Sequence, residues 1–243
     1  MIFRMKNRHL VPELMDDPKL DSREHQRALA GLRRINRLCS TGRFIAQAVR
    51  NCSKSIPGQP IEILDLGCGS GDVARDVLRR LDPNVACSLT GWDMSSLAVA
   101  DANEQWIRYS PNEMLRSKLR FEQQDVFELE QAQKKFDIVY CCLFLHHFDD
   151  EMAVRVLRRM KSLSRHFVIV DDLRRTSLGW WLAKIGCHLL SRSPVVHFDG
   201  PQSVRAAFSV EEAIQISGRA GLMKGTMETH WPQRFLHCWE TSC

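Results

Sequence analysis

The segment Ile61–Val73, IEILDLGCGSGDV, sets a carboxylate, Asp65, just ahead of glycines at Gly67, Gly69 and Gly71. Its first half is a run of branched and long apolar side chains suited to a strand covered on both faces. Its second half is a glycine turn whose backbone can bend sharply and let a ligand press against it. A dinucleotide fingerprint would have a third glycine where this chain has Asp72, and that carboxylate would face a pyrophosphate unfavourably. No GKS or GKT follows, which removes a nucleotide-triphosphate loop. A second carboxylate, Asp93, comes 22 residues after Gly71 at the end of an apolar run. There it could accept both hydrogen bonds of a ribose diol, or cap the helix starting near Ser95. Further on, His146 and His147 supply imidazoles, the side chains best matched to removing a proton near neutral pH.

The elements that must position these groups follow from patterning. Strands are expected at Ile61–Leu66, Cys87–Trp92, Leu119–Gln124, Phe136–Cys142 and over RHFVIVDDL, which ends in Asp171 and Asp172. A helix is expected over Asp72–Leu81, another through Ala98, Ala102 and Trp106 ending before Pro111, and another over Glu151–Leu163. Upstream, Pro12 and Pro18 punctuate a polar opening. Asp21 or Ser22 can cap an amphipathic helix through Leu29, Leu32, Ile35 and Leu38, and a second helical piece, Phe44–Val49, follows. The apolar stretch Ser177–Leu190 and the segment HFDGPQSVRAAFS interrupt the alternation, and SVEEAIQISGRAGL, KGTMETH and QRFLHCWE close it with a helix and two strands.

The glycine segment resembles the first motif of the class I S-adenosylmethionine-dependent methyltransferases, whose cofactor carries a sulfonium, an ammonium and a carboxylate but no phosphate. The resemblance implies that Asp65 helps hold the methionine amino group and that Gly67, Cys68, Gly69 and Gly71 run beside the cofactor. It also implies that Asp93, with Met94, takes the ribose, that Asp125 takes the adenine amino group, and that Val126 and Phe127 border the ring. LFLHHFDDE after the fourth strand is similar to the small-molecule branch, near the ubiquinone and menaquinone methyltransferases. On that likeness the transferring methyl lies by the Cys141–Leu143 turn, and His146 or His147 is the candidate base, with Asp149 or Asp150 orienting a ring nitrogen. The implied fold is α/β, a doubly wound, seven-stranded, mostly parallel Rossmann-like sheet whose last strand is antiparallel. Residues 1–56 would form a helical cap, 57–172 the cofactor-binding core, 173–208 a helical lid insert and 209–243 the closing elements, all in one domain. Cap and lid would wall the acceptor site, with Trp180, Trp181, His197 and Arg205 as substrate contacts, and Arg43 or Asn36 could touch cofactor or substrate or simply lie on the helix surface. The paired Asp171 and Asp172 suggest the divalent metal site of catechol methyltransferases. That site also wants an acid after the fourth strand, where Cys141 and Cys142 stand, so no metal is expected.

The 243 residues suit one large α/β domain. Nine scattered cysteines without CxxC pairs, and no apolar signal core in MIFRMKNRHL, lead to the expectation of free thiols in a reducing cytoplasm. Residues 1–50 hold eleven Lys and Arg against five Asp and Glu, a basic arm that could meet nucleic acid or anionic lipid. No run reaches the ~20 apolar residues of a membrane span, yet Trp180 and Trp181 beside Lys184 could settle at an interface as a peripheral contact. The expected activity is methyl transfer from S-adenosylmethionine to an apolar small molecule, at the hydroxyl or ring carbon of a phenol, quinol or polyketide-like acceptor. A nucleic-acid methyltransferase is the alternative, disfavoured because no NPPY-like tetrapeptide follows the fourth strand. A non-catalytic cofactor-binding module is the other, disfavoured by the intact Asp65, glycines, Asp93 and Asp125.

Overall fold

The computed structural model describes residues 5–17, 19–58, 60–82, 85–110, 112–127 and 134–241. Pro18, expected to punctuate the polar opening, and Pro111, expected just beyond a helix, lie outside them. Two helices lead: α1 (Ser22–Leu38), whose cap Asp21 accepts the Arg23 and Glu24 amides, and α2 (Thr41–Ser53). Then come β1 (Ile61–Leu66), α3 (Asp72–Arg80), β2 (Cys87–Asp93), α4 (Ser96–Tyr109), a single turn α5 (Glu113–Arg116) and β3 (Leu119–Gln123). After β4 (Phe136–Cys142) and the 3-10 turn Leu145–His147 follow α6 (Asp150–Leu163) and β5 (Ser164–Leu173). The chain ends in α7 (Ser177–Leu190), α8 (Pro194–Ala206), α9 (Val210–Arg219), β6 (Thr226–His230) and β7 (Arg234–Glu240).

The seven strands form one sheet in the order β3-β2-β1-β4-β5-β7-β6. β3, β2, β1, β4 and β5 are parallel, whereas β7 runs antiparallel to β5 and to β6. The strand order reverses between β1 and β4, where both strands grow outward from the centre, and a cleft opens at their carboxyl ends. Both faces are covered, so β4 is buried at every position. Ile138, Tyr140 and Cys142 pack with α2, α3 and α4, while Phe136, Val139 and Cys141 pack with α6 and α9. A third, smaller cluster joins Ala28 of α1 to Cys187, Val195 and Val196 of α7 and α8. Cap and lid therefore pack on one another, and α8 also touches the 3-10 turns Leu14–Asp16 and Leu145–His147.

Candidate active site

The turn after β1 is built by positive-φ glycines. Gly67 has φ 72° and a Cβ there would stand 2.3 Å from the Phe144 ring. Gly69 has φ 51° with nothing within 4 Å of its Cβ position, an open side past which a ligand can run. Beneath this turn Asp65 is 1% exposed, and among the described residues neither of its carboxylate oxygens has a hydrogen-bond partner. Burial pushes its pKa up to about 8, offset only in part by the nearby Tyr140 hydroxyl. A buried, unpartnered carboxylate beside a glycine cradle wants a cationic donor, and the ammonium of S-adenosylmethionine is one.

Asp93 terminates β2 and clasps the turn from the other side. Its Oδ2 accepts the Gly69 amide at 2.8 Å and its Oδ1 the Ser95 amide at 2.9 Å. Burial raises its pKa, and these two amides work against that rise. The cap of α4 is Ser95, which accepts the Ala98 amide, so Asp93 is free of that duty. Asp125 accepts the Phe127 amide at 2.8 Å and sets the loop after β3. Val126 is buried, Met94 is exposed, and Cys68 is buried within the core near Gly69. The Cys141 thiol is fully buried against α6, so this strand end offers a cofactor only its backbone. From above, Asn36 of α1 donates to Asp72 Oδ2 at 3.0 Å, closing the cap onto the start of α3, while Arg43 is exposed.

The acceptor side differs most from expectation. His146 is buried, and its Nδ1 stands 2.7 Å from Asp172 Oδ1 while Asp172 Oδ2 accepts the His146 amide at 3.0 Å. Its Nε2 lies 3.7 Å from Oε1 of Glu13, which arrives from the amino-terminal segment. Burial lowers the His146 pKa, but Asp172 and Glu13 outweigh it and raise the imidazole to about 10. Burial raises Glu13, yet His146, His147 and Ser203 hold it down at about 2. His146 in this arrangement is therefore an imidazolium with both nitrogens engaged. The ring is oriented by Asp172 rather than by Asp149 or Asp150: Asp149 caps α6 through the Met152 amide, and Asp150 pairs with Arg8 at 2.9 Å. His147 faces Asp16 through Nδ1 at 3.3 Å and Glu13 through Nε2 at 3.9 Å. Asp171 and Asp172 do not act as a pair. Asp171 meets His230 at 2.9 Å and, more closely, Arg234, which also donates to Thr41 and Cys142.

The segment before α1 is a strap across this side. Arg8 donates to the carbonyls of Ala206, His146 and Phe148, and Arg175 to those of Met5 and Lys6. Asp199 of α8 accepts the Leu14 and Met15 amides, and Ser203 donates to Glu13 Oε1 at 2.5 Å. Of the expected substrate contacts, Trp181 is 53% exposed and lies with Leu178, Ile185 and Leu189 on the outward stripe of α7. Trp180 packs edge to face on Trp181 at 5.0 Å, and Lys184 covers both rings. His197 donates through Nε2 to the Ser191 carbonyl and stacks on His188, and Arg205 reaches Gln202. These side-chain contacts of the four residues all lie within the lid. Glu13 and Asp16 of the cap and Asp199 and Ser203 of the lid were missed in the sequence because single polar residues carry no spacing signal.

Residues 63–166 match the family described as a methyltransferase domain. The chain is 28% identical over 148 residues to a demethylmenaquinone methyltransferase of Porphyromonas gingivalis, covering 60% of this chain and 58% of that protein. It is 31% identical over 160 residues to a ubiquinone biosynthesis O-methyltransferase of Alkalilimnicola ehrlichii, covering 65% and 59%. The chain spans between 20% and 59% of the length of the curated relatives it matches. In fold it is similar to the plantazolicin methyltransferase in complex with SAH, with TM-score 0.61, 18% identity and coverage of 94% and 92%. It is also similar to the magnesium protoporphyrin IX methyltransferase of Synechocystis with bound SAH, with TM-score 0.58, 19% identity and coverage of 93% and 90%. With the sheet order, the glycine cradle and the buried Asp65, these likenesses lead to one conclusion: over residues 63–166 the chain is similar to the class I S-adenosylmethionine-dependent methyltransferases.

Proposed function

We propose that this chain moves the methyl group of S-adenosylmethionine to an apolar small molecule, at the hydroxyl or ring carbon of a phenol, quinol or polyketide-like acceptor. The observation that carries the reading is Asp65, a buried carboxylate that has the Tyr140 hydroxyl nearby but, among the described residues, no formed hydrogen bond, beneath an open glycine turn. The cofactor supplies an electrophilic methyl on a cationic sulfur. Asp65 holds the ammonium, the Gly67–Gly71 backbone with Cys68 runs beside the methionine part, Asp93 and Met94 take the ribose, and Asp125 and Val126 take the adenine. Cys141 contributes its backbone at the end of β4. In-line transfer then depends chiefly on alignment, which removes ~7–11 kcal/mol of barrier.

The small-molecule part of the reading rests on two supports. The two relatives above are named for quinone-type acceptors, and the strap, α8 and the Leu145–His147 turn close over the acceptor side, which favours a small guest over a polymer. His146 and His147 are the imidazoles on that side. His146 takes a proton only in a state where Glu13 has left its Nε2. Peripheral contact with a membrane belongs to the same proposal. The outward stripe of α7 carries Lys184, and no acid occurs between Leu173 and Phe198. Incubation with methyl-labelled cofactor and a panel of phenols, quinols and polyketide-like aromatics beside DNA and RNA tests the reading. Label passing to an aromatic supports it, and label passing only to nucleic acid overturns it.

A further inference from the structure

Three side chains converge at the strap without any role in cofactor binding. The Nε2 atoms of His146 and His147 both face the Glu13 carboxylate, at 3.7 and 3.9 Å, and one ligand atom from each of the three residues lies within 4.8 Å of the other two. We propose that Glu13, His146 and His147 bind a divalent transition metal, and that the ion ties the amino-terminal strap to the end of β4.

The donor set is the first argument. Two imidazoles and one carboxylate suit zinc, iron(II) or cobalt(II), whereas calcium and magnesium prefer oxygen alone. Ligands on a tetrahedral ion with bonds of ~2.0–2.2 Å stand about 3.4 Å apart, so the three ligand atoms, now within 4.8 Å of one another, must draw in by up to about 1.4 Å as the ion enters. The second argument is what lies behind each ligand. A metal-binding imidazole commonly gives its other N–H to a carboxylate, which fixes the tautomer and aims the free nitrogen. Here His146 Nδ1 donates to Asp172 at 2.7 Å, its Nε2 proton leaving to solvent as the metal–nitrogen bond forms, and His147 Nδ1 faces Asp16 at 3.3 Å. Glu13 is steadied by the Ser203 hydroxyl on Oε1. Both rings are thus turned so that their Nε2 atoms point at one carboxylate, and Asp199 fixes the strap backbone just after Glu13 through the Leu14 and Met15 amides. Among the described residues this is the one His, Cys, Asp and Glu grouping that converges in this way. It uses neither Asp171 nor the cysteines, so it differs from the carboxylate site that the sequence suggested and disfavoured.

Three protein ligands leave a position open, as in catalytic zinc sites. Resting on the methyl-transfer reading, an acceptor hydroxyl fills that position. Its O–H bond breaks as the metal–oxygen bond forms, the proton passes to water, and the oxygen keeps the electron pair for attack on the methyl.

The full chain, freed of metal by dialysis against a chelator under reducing conditions, is titrated with Zn2+ by calorimetry and with Co2+ by visible absorption. The expectation is one equivalent bound, Co2+ d–d bands without the near-ultraviolet band of thiolate ligation, and a raised Tm. Glu13→Gln and His147→Ala should each lose the high-affinity step while keeping cofactor affinity. Asp16→Asn should weaken it by about 10- to 100-fold, as loss of an outer-shell partner does. Absence of a stoichiometric step, thiolate-type Co2+ spectra, or equal binding by Glu13→Gln and His147→Ala would overturn the site. Cofactor titrations on the same samples report on the methyltransferase reading separately.

Discussion

Asp93 accepts the backbone amide of Gly69 at 2.8 Å, and this single bond joins the end of β2 to the middle of the glycine turn after β1. The residue assigned to the ribose diol therefore also sets the shape of the cradle. With the Ser95 amide on its other oxygen, the carboxylate is fixed on both sides and keeps lone pairs for a diol.

Asp93→Ala removes a charged acceptor from the diol and releases Gly69. Losing such a bond costs ~1.5–3 kcal/mol, a drop of one to two powers of ten in cofactor affinity. Calorimetry with S-adenosylhomocysteine measures it, and an unchanged affinity would remove Asp93 from the site.

The glycines separate in what they do. Gly69→Val places a branched side chain into the open side of the turn, at a φ of 51°. It should abolish cofactor binding while circular dichroism still shows a folded chain, although the strained backbone lowers stability by at least ~1–2 kcal/mol. Gly67→Val instead drives a side chain into the Phe144 ring and should lower stability more. Normal binding by the Gly69 variant would mean that the cofactor takes another path.

Arg234 is buried against Asp171 at the β5–β7 seam and donates to Thr41 of α2. Arg234→Met leaves Asp171 as a buried charge with His230 its remaining partner, which should cost ~3–5 kcal/mol in urea unfolding. A cost within 0.5 kcal/mol, about what an ordinary surface substitution brings, would show that the pair is not formed.

The core was legible because a strand covered on both faces writes itself as an unbroken apolar run. β1 and β4 begin and end where IEILDL and FDIVYCC do. The carboxylates at strand ends were legible for the same reason. The acceptor side was not. Asp171 and Asp172 are neighbours in sequence, but successive strand residues face opposite ways, so one meets Arg234 and the other His146. Glu13 reaches His146 from the other end of the sheet's connectivity, a contact no local pattern encodes. The facing of the lid was not legible either: α7 packs inward through Gly179 and Cys187 with Trp180 half-buried and Trp181 exposed, a division that an unbroken apolar run does not encode.

That outward stripe can be tested alone. Trp181→Ala should leave cofactor affinity and stability within about 0.5 kcal/mol of the parent, because the ring is 53% exposed, and should lower retention on anionic vesicles. A loss of cofactor affinity in this variant would place the ring at the site after all.

The central claim is that the cradle above Asp65 holds S-adenosylmethionine by its ammonium, and proton-linked calorimetry tests it most directly. Burial raises Asp65 to about 8, above its ordinary 3.8, so the ligand-free protein carries a protonated Asp65 at pH 7. The sign follows. Relative to the unfolded chain, the favourable contribution of this proton is full below 3.8 and is lost as pH rises through about 8. An arriving ammonium favours the carboxylate, so binding at pH 7 should release about one proton, seen as a binding enthalpy that varies with the ionisation enthalpy of the buffer. Affinity should rise from pH 6 to about 8 and then level. In Asp65→Asn both the proton release and most of the affinity should vanish while the fold persists. Tight binding with no proton exchange, unchanged in Asp65→Asn, would contradict the account.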